Sequence, residues 1–145
     1  MRVSEAMTRE VRIATPGQSI RDVARLMADL DAGAMPVGEN DRLVGMITDR
    51  DIAIRAVAEG KGPDTPVREV MSSDVKYCYD DEDLEHVAEN MGDIKVRRLP
   101  VVNREKRLVG IVALGDVARA EDKGTVAKTV KEVSKPGGPN TQRPK

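Results

Sequence analysis

Phenylalanine and tryptophan are absent from this 145-residue chain, and tyrosine occurs only as Tyr77 and Tyr79. Single-stranded nucleic acid is held largely on aromatic platforms, so this chain is poorly furnished for it. Net charge is −1 and the sequence pI is near 5.9, so no basic field draws a polyanion either. The lone cysteine, Cys78, cannot close an internal disulfide, which fits a reducing compartment. The lone histidine, His86, has no second His to share a metal with. Long apolar runs are missing as well. The longest, Leu108 to Leu114, contains Gly110 and falls far short of the ~20 residues a bilayer demands. Met1-Arg2-Val3-Ser4-Glu5 has no signal-peptide apolar core. We expect an α/β (α+β) protein in the cytoplasm, with neither nucleic acid nor membrane as a partner.

What the chain does have is the stretch Gly45-Met46-Ile47-Thr48-Asp49-Arg50-Asp51. Apolar runs on either side of Gly38-Glu39-Asn40-Asp41-Arg42 predict an antiparallel hairpin ahead of it. Ile52 to Ala58 predicts a helix after it, so Thr48 and Asp51 stand where a strand hands over to a helix. Two readings fit. Thr48 and Asp51 form a capping box, each bonding the other's backbone. Alternatively the unpaired N–H groups and dipole of the first helical turn, with the Thr48 hydroxyl, bind a phosphate while Asp51 accepts a ribose diol.

The stretch occurs twice. Val67 to Met71 answers Val3 to Met7, 64 residues on. Leu84, Val87, Ala88 and Met91 answer Ile20, Val23, Ala24 and Met27. Those four, with Leu30, predict one apolar face of a helix capped by Ser19. Val11-Arg12-Ile13 predicts a brief strand. Leu99-Pro100-Val101 answers Met35-Pro36-Val37, and after one inserted residue Gly110 to Asp116 answers Gly45 to Asp51. Each repeat spans about 55 residues, small for a stable unit. We expect two copies packed face to face around one shared core, forming a pseudo-dimer. The expected boundaries are 1–60, a linker 61–66, 67–122, a short helix at 123–134 and a disordered tail at 135–145. The tail composition, three Pro and two Gly among Lys135 to Lys145 without a large apolar residue, supports the last of these.

The ordered set, twice over, resembles a tandem of cystathionine-β-synthase (CBS) domains, a Bateman module, of the small stand-alone bacterial type that includes the hypoxic-response proteins. The resemblance covers residue 3 to about 120. It implies two β-α-β-β-α units packed with pseudo-two-fold symmetry, and association into a homodimer. It also implies an adenine nucleotide (AMP, ADP, ATP, an S-adenosyl compound or NAD) bound in clefts between units. Asp51 would hold the ribose and Thr48 a phosphate. Ile13, Met35, Pro36 and Val37 would hold adenine. Arg97 or Arg98, just before Leu99-Pro100-Val101, would reach a phosphate; the other reading is a pair of solvated edge charges. In the second copy Ala113 replaces the hydroxyl and Asp116 remains. That cleft is expected to be empty or to take a nucleoside-like group.

Asp80-Asp81-Glu82-Asp83 resembles a metal cluster but precedes a helix start, where acid is favourable in any case. Cys78 reads as a packed or edge thiol rather than a nucleophile. The leading function is a regulatory sensor that binds an adenine nucleotide and signals to an unidentified protein partner. The alternative is a scaffold or stress-response interaction protein without a working nucleotide site. An enzyme is disfavoured, since no nucleophile–base pair, metal set or phosphate-cradling Gly loop is visible.

Overall fold

The computed structural model describes residues 1–120. The helix expected at 123–134 and the tail expected at 135–145 lie outside the described residues. In chain order the elements are α1 (Val3–Ala6), α2 (Ile20–Leu30), β1 (Ala34–Glu39), β2 (Arg42–Thr48), α3 (Asp49–Asp51), β3 (Cys78–Tyr79), α4 (Leu84–Ile94), β4 (Arg98–Val102), β5 (Leu108–Ala113) and α5 (Leu114–Ala120). A π-helix over Ile52–Val57 continues α3, and a 3₁₀ turn covers Val67–Glu69.

The chain divides into two compact units that cut across the repeats. A central unit is Arg12–Val75, and a split unit joins Met1–Val11 to the described residues from Lys76 onward. The boundaries expected at 1–60 and 67–122 therefore differ from the compact units. The reason is visible in the hydrogen bonds of each unit. In the split unit Val3 N–H donates to Glu82 O and Ser4 N–H to Asp80 O, both at 3.0 Å, while Leu84 N–H donates to Met1 O at 2.8 Å. In the central unit Val67 N–H donates to Gln18 O at 2.8 Å, Arg68 N–H to Pro16 O at 3.0 Å and Ile20 N–H to Thr65 O at 2.9 Å. These are the same bonds with the repeats exchanged: the leading turn of each repeat closes the other repeat's unit. The expected linker at 61–66 is consequently tied into the central unit, where Arg21 N–H also donates to Pro63 O at 3.1 Å.

The expected single core is also two clusters, one in each unit. Ala14, Ile20, Val23, Met27, Met35, Val37, Ile47, Ala56, Val67 and Val70 form the central one. Val3, Met7, Cys78, Leu84, Val87, Ala88, Met91, Leu99, Val101, Val112 and Val117 form the other. Both consist of aliphatic and sulfur side chains, with Met filling what aromatics fill elsewhere.

Local sequence explains the elements. Ser19 caps α2 by accepting from Asp22 N–H at 3.2 Å, and Asp83 caps α4. Both helices stop on a left-handed residue, Asp31 and Lys95, at matching places. Within α2, Ile20, Val23 and Met27 are buried, but Ala24 and Leu30 face out, whereas the equivalent Ala88 is buried. β1 and β2 pair antiparallel through Asn40-Asp41, both at positive φ, which is the type I′ geometry a twisted hairpin prefers. β3 pairs parallel with β4, and β4 antiparallel with β5. The strand expected at Val11-Arg12-Ile13 shrinks to one bridge, Ala14 beside Val37. Only Ala14 uses both backbone groups there, through Pro36 O and Gly38 N–H, before Pro16-Gly17 turns the chain away.

Candidate functional site

The strand-to-helix turn of the central unit forms the expected capping box. Thr48 Oγ1 accepts from Asp51 N–H at 3.0 Å, and Thr48 N–H donates to Asp51 Oδ2 at 2.9 Å. The box leaves Asp51 Oδ1 without a donor among the described residues. Thr48 and Asp51 are both half-buried, so that oxygen stands at the surface of a formed turn. Asp49 packs over Gly33: its Oδ2 lies 3.1 Å from the point a Gly33 Cβ would take. Asp49 N–H donates to Gly33 O at 2.9 Å, which fixes the turn against the entry to β1.

The four apolar residues assigned to adenine divide between the two faces of their strands. Met35 and Val37 are 1% and 0% exposed and belong to the central core, so they support the strand from behind. Pro36 alternates to the other face. Ile13, 37% exposed, reaches over the same strand, its Cδ1 3.0 Å from the would-be Cβ of Gly38. Pro36 is itself buried, so of the four only Ile13 is exposed to a ligand.

Arg97, Arg98 and Asp116 fall together in the split unit. Arg98 pairs with Ala113 across β4 and β5, and Leu114 N–H donates to Arg97 O at 3.0 Å. Both arginines are exposed at the end of the sheet. Thr48 and Asp51 belong to the other unit.

The two turns differ in how their carboxylates are held. Ala113 N–H donates to Asp116 Oδ2 at 2.8 Å, as Thr48 N–H does to Asp51. The other oxygen, Asp116 Oδ1, accepts from Arg119 Nη2. The Asp116 side chain is 6% exposed and that of Arg119 73%. Sequence reasoning missed Arg119. The signal was its place three residues after Asp116 on a predicted helix, where side chains meet.

The two tyrosines form a separate surface cluster. Their rings meet edge to face with centroids 5.8 Å apart. Arg104 lies 4.0 Å over the Tyr79 ring and makes two 2.8 Å bonds to Asp81. Lys106 Nζ donates to Tyr77 Oη at 2.6 Å. That hydrogen bond, helped by Tyr79 and by the ammonium charge, lowers the Tyr77 phenol below its ordinary range and raises Lys106. Hydrogen bonding between Asp81 and Arg104 likewise lowers the carboxyl and raises the guanidinium. So Asp83 caps the helix while Asp81 pins the β4–β5 turn. Cys78, between the two tyrosines in sequence, is buried in the core, and burial, with Glu82 and Asp80 nearby, pushes its thiol up to about 12. Among the described residues no group of three or more His, Cys, Asp or Glu could hold a metal ion. No described helix is long and apolar enough to cross a membrane.

A family model described as the CBS domain matches residues 3–57 and again 67–123. CBS domain-containing protein YhcV of Bacillus subtilis is 45% identical over 116 residues, 80% of this chain and 82% of that protein. Hypoxic response protein 1 of Mycobacterium tuberculosis is 36% identical over 121 residues, 82% of this chain and 84% of that protein. A crystal structure of hypoxic response protein I with two coordinated zinc ions superposes with a TM-score of 0.75 at 33% identity, covering 84% of this chain and 100% of that one. The crystal structure of CBSX2 in complex with AMP gives a TM-score of 0.73 at 27% identity, over 82% of this chain and 94% of that one.

Proposed function

The chain belongs to the CBS-domain family, with two CBS domains in tandem, and from that premise we propose that it is a regulatory module binding an adenine nucleotide at the Thr48–Asp51 turn. The supporting observation is the open Oδ1 of Asp51 on a turn already closed through Oδ2. A carboxylate oxygen held in place and left unpaired is a ready acceptor for a ribose diol. Ile13, exposed beside the buried Pro36, supplies an apolar contact for the base. The AMP complex of CBSX2 supports the ligand class. Arg97 or Arg98 is assigned to a phosphate of the nucleotide. Occupancy is passed on to a protein partner through whichever arrangement of the module the nucleotide binds more tightly. The protein acts in the cytoplasm as a two-fold homodimer, the commonest closed assembly. Sedimentation should give twice 15.8 kDa, about 32 kDa; a monomer that persists at micromolar concentration refutes the dimer.

Titration calorimetry with AMP tests the nucleotide site. Asp51→Ala should weaken binding about ten- to a hundredfold, since a hydrogen bond to a charged group is worth roughly 1.5–3 kcal/mol. Asp116→Ala should weaken it less. The second reading, an interaction protein with no nucleotide site, draws on the complete capping box. On that reading Asp51→Ala lowers stability by about 1 kcal/mol and there is no AMP affinity to lose.

A further inference from the structure

We propose that Arg119 closes the split unit's turn to ligand by occupying the Asp116 carboxylate, so that the two CBS domains differ in capacity through one side chain. The proposal rests on the nucleotide reading above. Asp51 and Asp116 occupy equivalent positions, and each commits one oxygen to a backbone N–H three residues back, at 2.9 and 2.8 Å. The second oxygen has no donor among the described residues in Asp51 and is taken by the Arg119 guanidinium in Asp116. The guanidinium brings ionic attraction as well as a hydrogen bond to the carboxylate, whereas a neutral ribose hydroxyl brings the hydrogen bond alone, so a diol must displace an ion pair to bind. Burial favours the same outcome. The carboxylate is 6% exposed and the arginine 73%, so Arg119 covers Asp116 from the solvent side, where a ligand would approach.

Its neighbours let the guanidinium settle there. Gly115 has no side chain, and Arg119 Nη1 lies 3.6 Å from where its Cβ would be. In the central unit Gly115 is answered by Arg50 and Arg119 by Ile54, 52% exposed and unable to pair with Asp51. The nearby Arg55 is engaged with Val70 O and Met71 O at 3.1 and 3.2 Å. The second repeat has therefore lost its hydroxyl to Ala113 and its carboxylate to Arg119.

Calorimetry with AMP on the full chain tests this, using Arg119→Ile, which copies the central unit, and Arg119→Ala in case the first variant fails to fold. Wild type should bind one AMP per chain. Both variants should bind a second, about tenfold tighter than any second event in wild type. Adding Asp116→Asn should remove it again. Two equal sites in wild type, or one site in folded variants, overturns the proposal. A single site in the variants with none in wild type upholds the closure by Arg119 and sinks the Asp51 assignment. No AMP binding by any of the proteins sinks the nucleotide reading, and the closure with it.

Discussion

Replacing Gly110 by alanine tests the exchange of leading segments directly. The first segment lies along β5, where Thr8 N–H donates to Ile111 O at 2.9 Å and Ile111 N–H to Thr8 O at 3.0 Å. A Cβ on Gly110 would stand 2.7 Å from Met7 Sδ and 2.7 Å from Thr8 O. The methionine end can swing aside; the carbonyl, held by its hydrogen bond, cannot move without parting the two strands. Overpacking costs about 1–3 kcal/mol. Losing the two hydrogen bonds adds roughly 0.5–1.5 kcal/mol each. A destabilisation of about 2–6 kcal/mol should lower the Tm by about 5–25 °C. Hydrogen exchange should show lost protection at Thr8 and Ile111, with Met46 and Ser72 unchanged. Gly45→Ala is the counterpart in the central unit, with Met71 Sδ at 2.7 Å and Ser72 O at 2.9 Å, and should expose Met46 and Ser72 instead. Gly62→Ala meets nothing within 4 Å and should be neutral or slightly stabilising. A Gly110→Ala protein that melts like wild type, or that loses protection at Ser72 rather than Thr8, refutes the exchange.

Two further predictions concern titration. The Cys78 thiol stays protonated in the fold up to about pH 12, against an ordinary value of 9.0, so between these the unfolded chain releases a proton that the folded one keeps. Stability is unaffected below the lower value and falls with rising pH by up to about 1.4 kcal/mol per unit above it. Cys78→Ala should flatten that loss in denaturant melts at pH 9 to 11; an identical slope would contradict the burial. Ultraviolet titration of the two phenols should show Tyr77 ionising below the ordinary range. Lys106→Met should move that transition up, and an unchanged curve would mean that the 2.6 Å hydrogen bond does not persist in solution.

The repeat, the caps at Ser19 and Asp83, the Asn40-Asp41 hairpin and the Thr48–Asp51 box were legible because each is local. Its partners lie within a few residues, so spacing and residue type carry the information. Arg119 was legible in principle for the same reason. Other features were open to the sequence but not decided by it. Ala24 and Ala88 hold the same place in the repeat, yet one meets solvent and the other the core. Met35 and Val37 belong to a strand resembling a ligand wall, but alternation turns them inward while Ile13 and Pro36 stay on the other face. The partition of the chain was decided by tertiary structure alone. Val3 to Met7 and Val67 to Met71 carry the same pattern, and either could close either sheet as far as local preference is concerned. Which edge each takes depends on backbone pairing between distant residues, from Met46 with Ser72 to Thr8 with Ile111, and on a glycine, Gly45 or Gly110, that leaves room for a methionine and a carbonyl. Those contacts exist only once the chain has folded back on itself, so the glycine is visible in the sequence and its purpose only in the packed strands.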